Sequence, residues 1–209
     1  MNAPYPTIPW HTPALWLEAN ATLGFLLERH TPELEAPRQL AHQMRTQLTS
    51  LFPIMDGLCH TTCPACSEVC CQHASVWIDF KDLLFFHLAA IPVPDSQLLS
   101  RRGERCRYAT TDGCRLDRLQ RPFVCTWYLC PAQSQCLREQ HDRWHTTQTC
   151  LQQIKHFRHR MEMSFIQATH PSAMVIQSRR IDPLVFQSTF GVSRRSPSMQ
   201  RRIPPLPSR

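Results

Sequence analysis

Apolar residues recur with the step of a helix along the first fifty positions. Over residues 13 to 29, Leu15, Trp16, Ala19, Leu23, Leu26 and Leu27 share one side of a helical projection, and the His30-Thr31-Pro32 sequence that follows breaks it. A second helix is expected to start with Thr31 as N-cap and Pro32 in the first turn, carrying the stripe Ala41, Met44, Leu48 and Leu51. The two together predict an N-terminal helical hairpin over residues 1–54. After Val76 and Ile78, which read as a short extended piece, Asp79 is placed to cap a helix through about Ala90, and Pro92 and Pro94 stop it. Residues 132 to 167 read as one longer helix whose apolar face is Trp144, Leu151, Ile154, Phe157, Met161 and Phe165, with residues 137–168 as a cover over the centre. Beyond Thr169 the periodicity decays into SRRSPSMQRRIPPLPSR, a sequence of serine, proline and arginine that cannot build a core, so 169–209 is expected to be a flexible tail.

Charge sharpens this division. Of the net +7, the tail carries seven arginines against one acid, Asp182, a net +6. A polyanionic partner is therefore expected at the tail or not at all, and a protein partner is left open. The most apolar stretch, Leu83 to Val93, contains His87 and Pro92 and falls short of the roughly 20 residues that cross a bilayer. No cationic side chain precedes Arg29, so no secretory leader is expected, and the reading is a soluble, cytoplasmic protein without a membrane partner.

The chemistry lies between residues 55 and 136, where ten of the eleven cysteines are found. In a reducing compartment clustered thiols bind metal or do redox work rather than form disulfides. Cys63-x2-Cys66 lets two thiolates on one tight turn face a common metal, and the adjacent Cys70-Cys71 pair follows. Neighbouring side chains point apart, so Cys70 and Cys71 are suited to a polynuclear cluster, to two neighbouring sites, or to one ligand with one supporting thiol. Further along, Cys106, Cys114 and Cys125 complete the candidate ligand set, with Cys130 beyond them. Cys150, on the apolar face of the late helix, reads as packing. The histidine pairs His141/His145 and His156/His159 stand at helical spacing on a polar segment and read as a solvated face. Cys59-x3-Cys63-x2-Cys66 also has the spacing of radical S-adenosylmethionine enzymes, but no succession of strands alternating with helices follows it, as their barrel requires. Neither a glycine-rich phosphate loop, a GxSxG elbow nor an HExxH helix is present.

The run Cys63-x2-Cys66 with Cys70-Cys71, followed by Cys106, Cys114, Arg121-Pro122 and Cys125, resembles the YkgJ-type zinc- or iron-chelating proteins, known by a CxxCxxCC element and a later C…RPxxC segment. The resemblance spans residues 59 to 130 and departs from the pattern at the three-residue gap before Cys70 and at Asp117, where an aromatic is usual. It implies metal binding by Cys63, Cys66, Cys70, Cys71, Cys106, Cys114 and Cys125. Flagellin lysine methylases look similar in this region, which makes a modification role conceivable. Arg121 can donate to buried carbonyls or to thiolate sulfurs, and Phe123, Trp127 and Tyr128 are placed to wall the site from water.

The expectation is thus a mainly α protein with a small, loop-rich, cysteine metal-binding core flanked by helices. Its function would be to bind an iron–sulfur cluster or zinc, in redox or protein modification. The alternative is a zinc-stabilised, non-catalytic module that recruits a protein or nucleic acid.

Overall fold

The computed structural model describes residues 7–64, 66, 75–110 and 113–177, with side chains to Thr169. The fold is mainly helical, and the one sheet among the described residues is a two-residue antiparallel pair, β1 (Ala109–Thr110) and β2 (Gly113–Cys114), in the register Ala109 to Cys114. Helix α1 (Pro13–Arg29) starts where expected, with Thr12 as N-cap accepting from Leu15 N and proline in the first turn. It buries Trp16, Leu23 and Leu27, whereas Leu15 is exposed.

Thr31 does not cap the next helix. Its hydroxyl donates back to the carbonyls of Leu27 and Glu28, closing α1, and Thr31–Leu34 forms a 3-10 turn. Helix α2 (Glu35–Thr62) therefore begins four residues later, buries Ala41, Met44, Leu48 and Leu51 as the stripe requires, and runs through Pro53 to carry Cys59 in its last turn. The helical hairpin is not a self-contained pair, because α1 leans on α3 (Phe80–Leu88), while α2 packs chiefly on the long helix α6 (His141–Gln177). Asn20 of α1 and His87 of α3 are joined at 2.9 Å, and the indole of Trp16 donates to Pro94 O at 3.0 Å.

Helix α3 has the cap the sequence announces: Asp79 accepts from Asp82 N at 3.0 Å, and the Asp82 carboxylate accepts from Asp79 N at 3.1 Å. Its C-terminus ends with Ala90 in the left-handed region at φ +51°, with Ile91 N reaching back to Phe86 O at 2.8 Å. The extended piece at Ile78 gains its hydrogen bonds from a side chain: the amide of Gln97 accepts from Ile78 N and donates to Ile78 O, and also to Pro9 O. Both Gln97 and Ile78 are buried, so this fully bonded amide substitutes for a missing neighbouring strand.

The single late helix is in fact two. Helix α4 (Phe123–Trp127) and helix α5 (Pro131–Arg138) precede α6, and the break at Glu139–Gln140 occurs without proline or glycine. Leu151, Ile154, Met161 and Phe165 are buried as the apolar stripe requires, and Trp144 and Phe157 pack against the same core from its edge. Backbone helix continues past Thr169 to Gln177, so the expected tail boundary moves; residues 178–209 lie outside the described part. One apolar core joins α1, α2, α3 and α6. Lys81–Glu162 at 3.1 Å and Arg118–Asp56 clip its rim. Among the described residues no helix is long and apolar enough to cross a membrane.

Candidate metal centre

Two of the predicted ligands, Cys106 and Cys114, are brought near each other by a compact loop, and Cys125 stands on the helix that follows. Cys106 is buried, and its carbonyl accepts from Ala109 N at 3.0 Å, which turns the chain into the β1–β2 pair. Gly113, at φ +126°, lets that pair close on Cys114; an L side chain would be strained there. Arg115 N to Tyr108 O at 2.9 Å continues the pairing. The chain then passes buried Leu116 and a 3-10 turn, Arg118–Gln120, to Pro122, which opens α4 with Cys125 at its middle. Asp117, at the position where an aromatic is usual, caps that 3-10 turn together with Gln120.

Helix α4 is only five residues long and is fixed by a buried ionic network that sequence reasoning missed. Phe123 N donates to Asp82 Oδ1 at 3.0 Å, the same oxygen accepts from Arg158 Nη1 at 2.6 Å, and Arg158 Nη2 donates to Asp79. The Arg158 guanidinium also lies over the Phe123 ring, 5.5 Å from its centroid. The capping residues of α3, one arginine of α6 and the start of α4 thus form one unit beside Cys125. Burial and the neighbouring Asp79 carboxylate raise Asp82 to about 6 against the pull of Arg158, whereas at Asp79 burial is outweighed by Arg158, the Asp82 N–H and Lys81 together, which lower it. A legible signal existed. Arg158 lies four residues after Ile154 and three before Met161, inside the apolar stripe, where a charge needs a buried partner.

Cys125 is pushed up to about 12, first by loss of water and then by the negative charge of Asp82, Cys114 and Cys106, with Arg121 opposing. Burial likewise raises Cys106. Without a cation nearby, Cys106 and Cys125 therefore favour their protons. Arg121 donates through Nε to Leu116 O at 3.0 Å, the carbonyl role expected of it. The aromatic wall is only partly built: Phe123 is buried, but Trp127 and Tyr128 are 40% and 47% exposed, with Lys155 over the Trp127 ring.

A second set of sulfurs surrounds Gln133. Cys59, in the last turn of α2, and Cys63, its C-cap, stand four residues apart on one helical face; the buried Gln133 amide lies 3.5 Å from Cys59 Sγ and 3.8 Å from Cys63 Sγ. Cys130 is the N-cap of α5 and accepts from Gln133 N at 3.5 Å, while its own N–H donates to Gln133 Oε1 at 3.4 Å. A cysteine takes the place usually held by serine or threonine in a capping box, so Cys130-Pro131-Ala132-Gln133 was readable as a helix start. Cys66 N donates to Cys63 O at 3.1 Å, so the tight turn implied by the two-residue spacing is formed, and both cysteines are exposed. Cys136 packs at the edge of the core. Cys70 and Cys71 lie outside the described residues.

Cys150 is buried, 3.0 Å from Gln47 Oε1, on the contact between α6 and α2, as packing requires. His156 and His159 are exposed; His141 and His145 are exposed too, with rings edge-on and centroids 4.5 Å apart.

Among the described residues, no three His, Cys, Asp or Glu side chains converge tightly enough to hold one ion. The donor chemistry nevertheless fits a thiophilic centre: soft sulfurs, low hydration at Cys106 and Cys125, and an arginine at hand. Comparison of the chain with protein-family models, with curated proteins and with solved structures finds no match.

Proposed function

We propose that this chain is a metalloprotein whose central cysteines hold an iron–sulfur cluster or zinc as thiolates, the reading that its resemblance to YkgJ-type proteins also favours. One observation carries it: the register Ala109 to Cys114 and the Ala109 N to Cys106 O bond bring Cys106 and Cys114 near each other, and Cys125, on the helix that follows, lies within reach of both their charges. Gathering one buried and two half-buried thiols has no packing advantage over apolar side chains. A bound cation offsets the cost by stabilising the thiolates. Cys106, Cys114 and Cys125 would be ligands, with the Cys63–Cys66 turn and Cys70–Cys71 as the source of the rest. The Gln133 amide, directed at Cys59 and Cys63, would stabilise thiolate charge there by N–H to sulfur bonds. When bound, a cluster supplies one-electron chemistry, and zinc supplies a structural crosslink.

Anaerobic purification followed by iron, sulfide and zinc analysis tests the reading. We expect stoichiometric metal, with a brown, sulfide-containing sample if it is a cluster. Metal-free protein with unchanged folding would overturn the proposal, and zinc without iron or sulfide would assign the centre to the structural class.

A further inference from the structure

The residues that alternate with the buried cysteines are arginines. Segment 101–121 holds seven arginines, no lysine and three acids, a net +4 that the acidic excess of the other residues before Thr169 conceals when that part of the chain is summed. Arg105 and Arg107 flank buried Cys106 and are exposed, and Arg115, next to Cys114, is exposed as well. In an extended stretch successive side chains take opposite faces, so the sulfur goes inward and the guanidinium groups outward.

A hydrogen bond joins Arg115 to Arg107, and Arg105, two residues before Arg107, falls on the same face of the extended stretch. Arg107 N donates to Leu98 O, and its guanidinium reaches Ser96 Oγ at 3.0 Å and Ser100 Oγ at 2.6 Å. Arg115 Nη2 donates to Arg107 O at 3.1 Å. Gln97, between Ser96 and Leu98, is bonded to Ile78, which brings Trp77 alongside, and Arg102 lies over the Trp77 ring at 5.4 Å. Of the nearby acids, Glu104 is held by Arg101 and by the N–H groups of Ser100 and Arg101, and Asp117 is turned onto its own cap; Asp95 stays exposed, and Asp112 lies outside the described residues. Among the described residues, no carboxylate pairs with Arg105, Arg107 or Arg115.

We propose that this face, Trp77 with Arg102, Arg105, Arg107 and Arg115, binds single-stranded nucleic acid. Arginine's planar fork suits phosphate oxygens, and an arginine stacked on an indole offers a flat π surface to a base. An acidic protein partner fits less well, since specific protein interfaces bury an apolar centre and none of the exposed large hydrophobic side chains falls in residues 95–121. A duplex fits less well too. The patch has no helix, and its hairpin has two residues per strand, too short to lie along a groove. Sequence-tolerant binding through phosphates and stacking is what these residues supply.

The test is fluorescence anisotropy with the full-length protein and a labelled, mixed-sequence single-stranded RNA oligonucleotide, titrated at several salt concentrations. Replacing Arg105 and Arg115 with glutamine removes two exposed charges. It should reduce the slope of log K against log salt by about 1.4, and weaken binding roughly ten- to thirtyfold near 0.1 M salt. Metal content and far-ultraviolet circular dichroism of that variant should match the wild type; loss of metal would assign the arginines to the thiolates and overturn the proposal. So would unchanged RNA binding in the double variant alongside its loss when Arg194, Arg195, Arg201 and Arg202 are changed to glutamine, because the tail would then be the contact. Equal affinity for a poly-glutamate peptide would replace nucleic acid with an acidic protein as partner. The RNA and poly-glutamate outcomes do not depend on which metal, if any, the cysteines hold.

Discussion

At the scale of single residues, the cysteines divide by what surrounds them. Cys150 sits between α6 and α2 with Gln47 and Ser50 as its neighbours, and serine can make the same contacts with a shorter bond and no cavity of consequence. We therefore expect Cys150→Ser to keep its metal content and to lose no more than about 1 kcal/mol of stability, whereas Cys125→Ser should lose metal. Equal metal loss in both variants, measured by elemental analysis after anaerobic purification, would dissolve the division into ligand and packing thiols. Cys150 was legible because it falls on an apolar stripe of period 3.6. The sulfurs around Gln133 were not: Cys59 and Cys130 are seventy-one residues apart, and nothing local in the sequence states that the end of α2 meets the start of α5.

At the scale of elements, α4 shows how a weak helix is held by strong neighbours. Five residues cannot sustain a helix alone, so its orientation rests on Asp82, and Asp82 rests on Arg158. Removing the arginine leaves two carboxylates without a cation, one of them buried. Arg158→Met should destabilise the fold by about 3–5 kcal/mol at neutral pH, read from denaturant midpoints. The pH trend follows from the same charges. Without Arg158, burial and the Asp79 charge hold Asp82 above its ordinary range with less to oppose them, so the folded state takes up a proton there more readily than the unfolded chain. The deficit should then be largest near pH 7 and shrink as Asp82 is protonated on acidification, while in the wild type Asp79, lowered below 3.8, keeps its stabilising contribution over that range and loses it only at more acid pH. A deficit that stayed constant with pH would locate the effect of the substitution in packing. Apolar periodicity and the His30-Thr31-Pro32 break made α1 readable to the residue, and Asp79 as a cap made α3 readable nearly so; the Thr12 cap and the Asp82 half of the box are further local signals. The start of α2 was misplaced because Thr31-Pro32 satisfies a capping pattern equally well as a 3-10 turn, and only the hydroxyl's bonds back to α1 decide between them. The break between α5 and α6 carries no proline or glycine and so left no mark on the sequence.

At the scale of the whole molecule, the apolar core and the sulfur sites are separable. Leu34, Met44, Leu51, Leu83, Leu84, Phe86, Ile154 and Met161 are essentially inaccessible to solvent and belong to helices or the turn joining them, whereas the cysteine-bearing loop from Cys106 to Cys130 touches that core through Cys106, Leu116 and Phe123 and is otherwise anchored by short turns, a two-residue strand pair and the Asp82 contact. A region with few apolar contacts of its own opens locally at low cost, and one packed on all sides opens only with the entire fold. Metal would then act on the loop far more than on the helices. Stripping it with a strong chelator should leave most of the helical circular dichroism intact, and hydrogen exchange should speed up in residues 101–130 while the amides of α2 and α6 keep their protection. The contrary result, cooperative loss of helix on chelation, would mean that the metal sets the folding equilibrium of the whole chain. The helices would then be its dependants, as in small metal-nucleated domains, and the 209-residue chain would fold in spite of its apolar core and not because of it.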